Sequence, residues 1–200
     1  IADNAIKLEQ ISDDIGQISK RNLIINGAMN INQYGTLTGV GASAKYVIDR
    51  FEVDPSSAAR FTTSKDAVTD LPGFGSCLKI DCTTADSSVA SGDLMMLRTP
   101  LEGFGLNVFK KGHADAKGFV MSYYAKCDGG PFTGVFELED SQNSRHVNET
   151  FTATNHWQRF IHYFPADTSG KLDNDSSDTL RLQWWLMAGT TYAGGSLQSS

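Results

Sequence analysis

From residue 22 onward the chain alternates apolar and polar side chains with a period of two, in one short run after another. In "AKYVIDRFEV", residues 44–53, Val47, Phe51 and Val53 share one side, while Tyr46, Ile48 and Arg50 share the other. "SCLKIDC" groups Leu78, Ile80 and Cys82, and "GFVMSYYAKC" groups Phe119, Met121, Tyr123 and Ala125. "PFTGVFELED" sets Phe132, Phe136 and Leu138 against Thr133, Glu137 and Glu139, and "HWQRFIHYF" reads as a further strand. In "TLRLQWWLM", Leu180, Leu182, Trp184 and Leu186 form one face and Arg181, Gln183, Trp185 and Met187 the other. A period of two belongs to strands, whose side chains point alternately to two faces. Gly, Asp, Ser and Thr clusters separate these runs. The body is therefore mainly β, a sandwich or barrel without parallel βαβ units. Only "RTPLEGFGLNVF" has the composition of a helical turn. Pro55, Pro72, Pro100, Pro131 and Pro165 are expected at loops or strand ends, because proline lends no N–H to a ladder.

Before residue 22 the period changes to seven. In "IADNAIKLEQISDDIGQISK", Ile1, Leu8 and Ile15 fall at one seam position and Asn4, Ile11 and Ile18 at the other. Lys7, Glu9, Gln10, Asp13 and Asp14 stay outside the seam, as in a coiled coil. Isoleucine at both seam positions favours three or more strands, and a lone Asn4 fixes register. Residues 1–21 are thus expected to be a short helical, coiled-coil-like trimerising stalk, and residues 22–200 the β domain. Gly16 and the short length weigh against the helix. A single amphipathic helix lying on its own domain, or an interwoven trimeric β arrangement, remains open. A helix this short is marginal in water and must pack on something.

Composition narrows the function classes. At 200 residues, 40% hydrophobic and 20% charged, the chain has the makeup of an ordinary globular protein with a sizeable core. Its formal charge of −6, from 17 basic and 23 acidic residues, speaks against a nucleic-acid surface. No apolar run reaches membrane-span length, so no membrane insertion is expected. The start at Ile1 and the polar end "GGSLQSS" read as a piece of something longer.

The stretch "NLIINGAMNINQYGTLTG" stands where the two periods meet. Asn26 and Gly27 between apolar residues are a local hairpin signal. The ordered set "RNLIINGAMNINQYGT", "YVIDRF", "LEGFGL" and "HWQRF" resembles the jelly-roll domain of bacteriophage tail-fibre and other virion appendage proteins. Those open on "NLLxNGxFxxxQRGT" and carry "YxxDRW", an "IEG" turn and a "TWQR" strand. The resemblance spans residues 21–192 in order, and the same architecture is similar to carbohydrate-binding modules of glycoside hydrolases. It implies a jelly-roll β-sandwich in which the apolar run at residues 23–25 is a sheet strand, with Asn26 and Gly27 leading into a loop. It also implies a structural Trp157, a homotrimer, other virion tail proteins as partners, and location in the virion. Family members continue to a "VQLE" motif that is absent here, so the sandwich is expected to be truncated at its C-terminus.

Candidate chemistry is sparse. Cys77, Cys82 and Cys127 have no CxxC spacing, and Cys77 and Cys82 fall on opposite strand faces, so they read as small hydrophobes. His113, His146, His156 and His162 share no ligand spacing, and no Gly-x-Ser-x-Gly elbow exists. Glu137, Glu139 and Asp140 lie close together, but alternation puts the two glutamates on a solvent face. No enzyme activity and no cofactor are expected. Asp173, Asp175 and Asp178 in "LDNDSSD" are a weak calcium candidate lacking the EF-hand Gly and Glu, and an ordinary polar turn is the better reading. The binding hypothesis rests on Trp185 with Arg181 and Gln183 on one strand face, which suits a sugar's apolar face and hydroxyls. Tyr34 and Tyr192 are loop candidates for an aromatic rim. The sequence thus points to a trimeric virion appendage with possible attachment to a host surface glycan. The alternatives are a carbohydrate-binding module of a secreted glycan-degrading enzyme and a purely architectural domain.

Overall fold

The computed structural model describes residues 22–193; the expected stalk, with its seam of Ile1, Asn4, Leu8, Ile11, Ile15 and Ile18, lies outside them. Eleven strands follow in order: β1 (Leu37–Val40), β2 (Lys45–Ile48), β3 (Phe51–Ser56), β4 (Arg60–Ala67), β5 (Ser76–Thr84), β6 (Leu94–Glu102), β7 (Phe119–Ala125), β8 (Phe132–Asp140), β9 (Arg145–Ala153), β10 (Gln158–Phe164) and β11 (Asp178–Ala188). Two single 3₁₀ turns, Gly103–Gly105 and Asn107–Phe109, occupy the stretch read as a helical turn. Six strands form one antiparallel sheet in the order β2-β3-β6-β11-β8-β9. The opposite layer holds two smaller sheets, β1-β4-β5 and β10-β7. The chain is a mainly β sandwich. Among the described residues no helix is long and apolar enough to cross a membrane.

The alternation read from the sequence sets what lies inside. Phe119, Met121 and Tyr123 of β7 and Phe160 and Phe164 of β10 pack on Phe136, Phe151, Leu182 and Trp184 of the large sheet. Phe61 of β4 and Ile80 of β5 pack on Val47, Val53 and Met95, while Leu78, Leu97 and Leu186 touch both clusters. Trp184, 7% exposed, lies at the middle of the aromatic cluster. Its ring centroid is 5.1 Å from that of Phe136 and 5.3 Å from that of Tyr123. His162 is also a core residue, bonded through Nδ1 to Glu149 at 2.8 Å and stacked on Phe136. Gly134 is required beside β11: a Cβ there would meet the Trp185 carbonyl oxygen at 2.7 Å and the Phe151 ring at 2.8 Å.

Several expectations need correction. Residues 23–25 form no strand, although Asn26 and Gly27 do lie in a turn that leads into a loop, as the resemblance implied. Asn26 takes a left-handed φ of 58°. Its side chain then does the holding: Nδ2 donates to the Ile31 and Asp49 carbonyls, and Oδ1 accepts from the Ile31 N–H. The run 44–53 is two strands, because Asp49 and Arg50 form a tight turn with Arg50 at φ 71°. Pro55 and Pro100 lie within β3 and β6. They fit because β2 pairs no further than Val53, and β3 pairs no further along β6 than Arg98, so each proline has a neighbour on one side only. Trp157 is half-buried at a seam rather than in the core, donating Nε1–H to Asp70 at 2.9 Å beneath the Lys126 ammonium. In β11 a bulge between Trp185 and Met187 breaks alternation, so Met187 joins the core.

Candidate functional site

The face of the six-stranded sheet turned away from the core is polar, and pairing register aligns it into rows. One row crosses all six strands: Tyr46, Glu52, Arg98, Gln183, Glu137 and Asn148, each residue directly opposite the next. Within it Arg98 Nε donates to Glu52 at 2.5 Å, Gln183 Nε2 to Glu137 at 2.8 Å, and Asn148 Nδ2 to Glu137 at 3.2 Å. The row on one side holds Pro100, Arg181, Glu139 and His146. The row on the other holds Asp54, Met96, Trp185, Val135 and Thr150.

Cross-strand links tie the rows together. Gln183 Nε2 also donates to Glu139 at 3.0 Å, and Arg181 reaches Glu139 at 3.2 Å and Asp178 at 2.6 Å. Arg98 Nη1 lies 3.0 Å from Asp54. Burial works against the charge on Arg181, but Asp178 and Glu139 outweigh it and raise its pKa. Burial, followed by the nearby Glu52, raises the Tyr46 hydroxyl's pKa. The sequence placed Glu137 on a solvent face; it does point outward, yet it is only 8% exposed and Gln183 only 3%. Long neighbouring side chains on both flanking strands cover them. Among the described residues, His146 Nδ1 and Asp178 Oδ1 are buried without a hydrogen-bond partner, His146 Nδ1 lying 3.6 Å from Glu137.

Aromatic rings flank this grid on two sides. Trp185, half-buried, packs against Tyr192 with centroids 5.7 Å apart, and Tyr192 remains 47% exposed. Backbone bonds from Gly189 to Asp93 and from Thr191 to Ser91 fix the loop that carries Tyr192. Tyr34 stacks on Tyr46 at the β2 edge, three strands from Trp185, with centroids 6.2 Å apart and planes within 13°. The structure thus unites Trp185, Arg181, Gln183 and Tyr192 and sets Tyr34 at the far margin. Sequence reasoning missed Tyr46, Glu52, Asp54, Arg98, His146 and Asn148. Alternation gave Tyr46 a face, but the segments that became β6 and β9, with Arg98, His146 and Asn148, were not read as strands, and nothing local says which strands become neighbours.

Asp173, Asp175 and Asp178 do not converge. Gln142 Nε2 donates to Asp173, the Ser177 N–H to Asp175, and Arg181 to Asp178. Among the described residues no group of three or more His, Cys, Asp or Glu side chains is placed to hold a metal.

No protein-family model and no curated protein matches the sequence. Among solved structures, a CBM4 structure aligns at a TM-score of 0.45 with 16% identity, covering 82% of this chain and 88% of that one. The enzymatically active domain of bacteriophage CBA120 tailspike protein 4 aligns at 0.44 with 11% identity, covering 84% of this chain and 20% of that one. Both likenesses are distant.

Proposed function

We propose that the outer face of the six-stranded sheet recognises a glycan, and that the domain belongs to a phage tail fibre or another virion appendage. The row crossing all six strands beside Trp185 and Tyr192 carries this reading, with partly exposed Glu52, Arg98 and Asn148 facing solvent around the buried Gln183–Glu137 pair. Sugars present hydroxyls in the plane of the ring and C–H groups on its faces, so they need hydrogen-bonding groups next to a flat aromatic surface. With strands about 4.8 Å apart, the row extends about 24 Å, which suits an extended oligosaccharide better than one sugar unit. Glu137 and Glu139 act here as acceptors that orient Gln183 and Arg181, and the face binds without catalysis.

The seam in residues 1–21 favours the appendage over a carbohydrate-binding module of a secreted enzyme, which would hang from a flexible linker. In this reading three copies share a stalk alongside other virion tail proteins. Three weak sites can then raise avidity by about 10² or more without new contacts. A glycan array probed with the whole chain, repeated with Trp185→Ala, is the test. The expected outcome is binding that Trp185→Ala abolishes. A folded protein with no glycan signal would leave a purely architectural domain. A monomeric mass in sedimentation would remove the stalk and favour the enzyme-module reading.

A further inference from the structure

We infer that the open end of the sandwich holds a second ligand site, for a small anionic molecule with an aromatic or short acyl body. Where β7 begins and β10 ends, the two layers part and leave a cavity of about 290 Å³. Its walls include Phe109, Phe119 and Phe164 from one side and Leu138, Val147 and Leu180 from the other. Phe109 and Phe119 stack with centroids 4.5 Å apart, and Phe119 lies 4.8 Å from Phe164, so the wall is a continuous aromatic surface. A volume near the lower end of the usual pocket range fits a ligand of one or two rings.

The rim decides the charge. Lys111, Lys117 and Arg145 border the cavity with Asp140 and Asp167, an excess of cations in a chain of formal charge −6. Both carboxylates are already occupied. Asp140 accepts from Lys111 Nζ at 2.5 Å and from Asn143. Asp167 accepts from Arg145 Nε at 2.9 Å and from the Ser169 N–H, with Lys111 Nζ 3.1 Å away. Lys117 has no side-chain partner among the described residues and is exposed at the mouth. Its backbone is fixed, since its N–H donates to the Phe109 carbonyl at 2.8 Å and Gly118 lies against the Phe164 carbonyl. An apolar wall, two satisfied carboxylates and one free ammonium complement a molecule with one negative charge at the end of an apolar body. This site meets the outer face only at His146, which borders the cavity, and lies away from Trp185 and Tyr192.

The probe is 8-anilinonaphthalene-1-sulfonate, titrated by fluorescence into the whole chain, with neutral N-phenyl-1-naphthylamine as the counterpart. One-to-one saturable binding of the sulfonate is expected, with weaker binding of the neutral probe. Lys117→Gln should weaken the sulfonate about fivefold. Val147→Trp, which fills the cavity, should abolish binding while far-UV circular dichroism stays native and thermal unfolding stays cooperative. If that variant does not fold, the exposed Lys117→Glu carries the test by weakening the sulfonate further than Lys117→Gln does. No saturable binding overturns the site. Equal binding of both probes, unchanged by the Lys117 variants, overturns the anionic ligand. Full binding by a native Val147→Trp overturns the location.

Discussion

The outer face of the six-stranded sheet and the outer face of the β7 and β10 pair differ sharply although both cover one aromatic core. On the large sheet, outward Arg98 binds Glu52 across β6 and β3, while Arg181 and Gln183 bind Glu137 and Glu139 across β11 and β8. On the small one, Val120 and Tyr163 sit opposite each other at 57% and 68% exposed, with Tyr124 and Ile161 exposed beside them. The inward faces are alike, both rich in Phe and Tyr. Sheet width explains the difference. Interior strands of a wide sheet have neighbours on both sides, so long polar side chains satisfy and cover each other. A two-stranded sheet has no such flanks, and its hold comes from the side facing inward. Stability should therefore depend on the shared core, local order on the polar grid, and neither on the exposed residues of the small sheet.

The largest effect should come from the shared core: Trp184→Ala should cost about 3–5 kcal/mol in urea unfolding. Trp185→Ala, one residue along and facing outward, should cost distinctly less. Equal losses would mean that the two faces of β11 are wrongly assigned.

The middle effect sets one outer face against the other. Gln183→Leu removes the amide that donates to both Glu137 and Glu139, and should cost about 1–3 kcal/mol because Glu137 is buried. Tyr163→Ser, on the small sheet, should stay within about 0.5 kcal/mol. Matching losses at the two sites would erase the distinction between grid and exposed patch.

The smallest effect is a pH dependence at the loop joining the layers. Burial alone would raise the Asp167 pKa, but the Ser169 N–H, Lys111 and Arg145 outweigh it and hold the carboxyl below its ordinary 3.8. Asp167 therefore stabilises the fold at pH values above its unfolded pKa, and that contribution is lost as pH falls through the lower folded value. Thermal unfolding between about pH 5 and 2 should lose stability less steeply in Asp167→Asn than in the parent. An unchanged slope would show that these contacts do not persist in solution.

Local patterning was enough to show that the body is β and, in the cleanly alternating strands, which side chains point inward. Phe119, Met121 and Tyr123, Leu78 and Ile80, and Leu180, Leu182 and Trp184 face the core as their spacing requires, whereas Cys82, grouped with Leu78 and Ile80, is exposed near the end of β5. That pattern is legible because alternation is set within each strand by backbone geometry. It also placed Arg181, Gln183 and Trp185 together, since one strand carries all three. Other features depend on contacts between distant segments. The turn at Asp49 and Arg50 hid inside an apparent strand, because Arg50 carries no local sign of its left-handed φ of 71°. The bulge that turns Met187 inward and the seam position of Trp157 depend on neighbours distant in sequence. The polar row from Tyr46 to Asn148 exists only once six strands choose partners and register. A residue's face is a local property, whereas its burial and its partners belong to the assembled sheet.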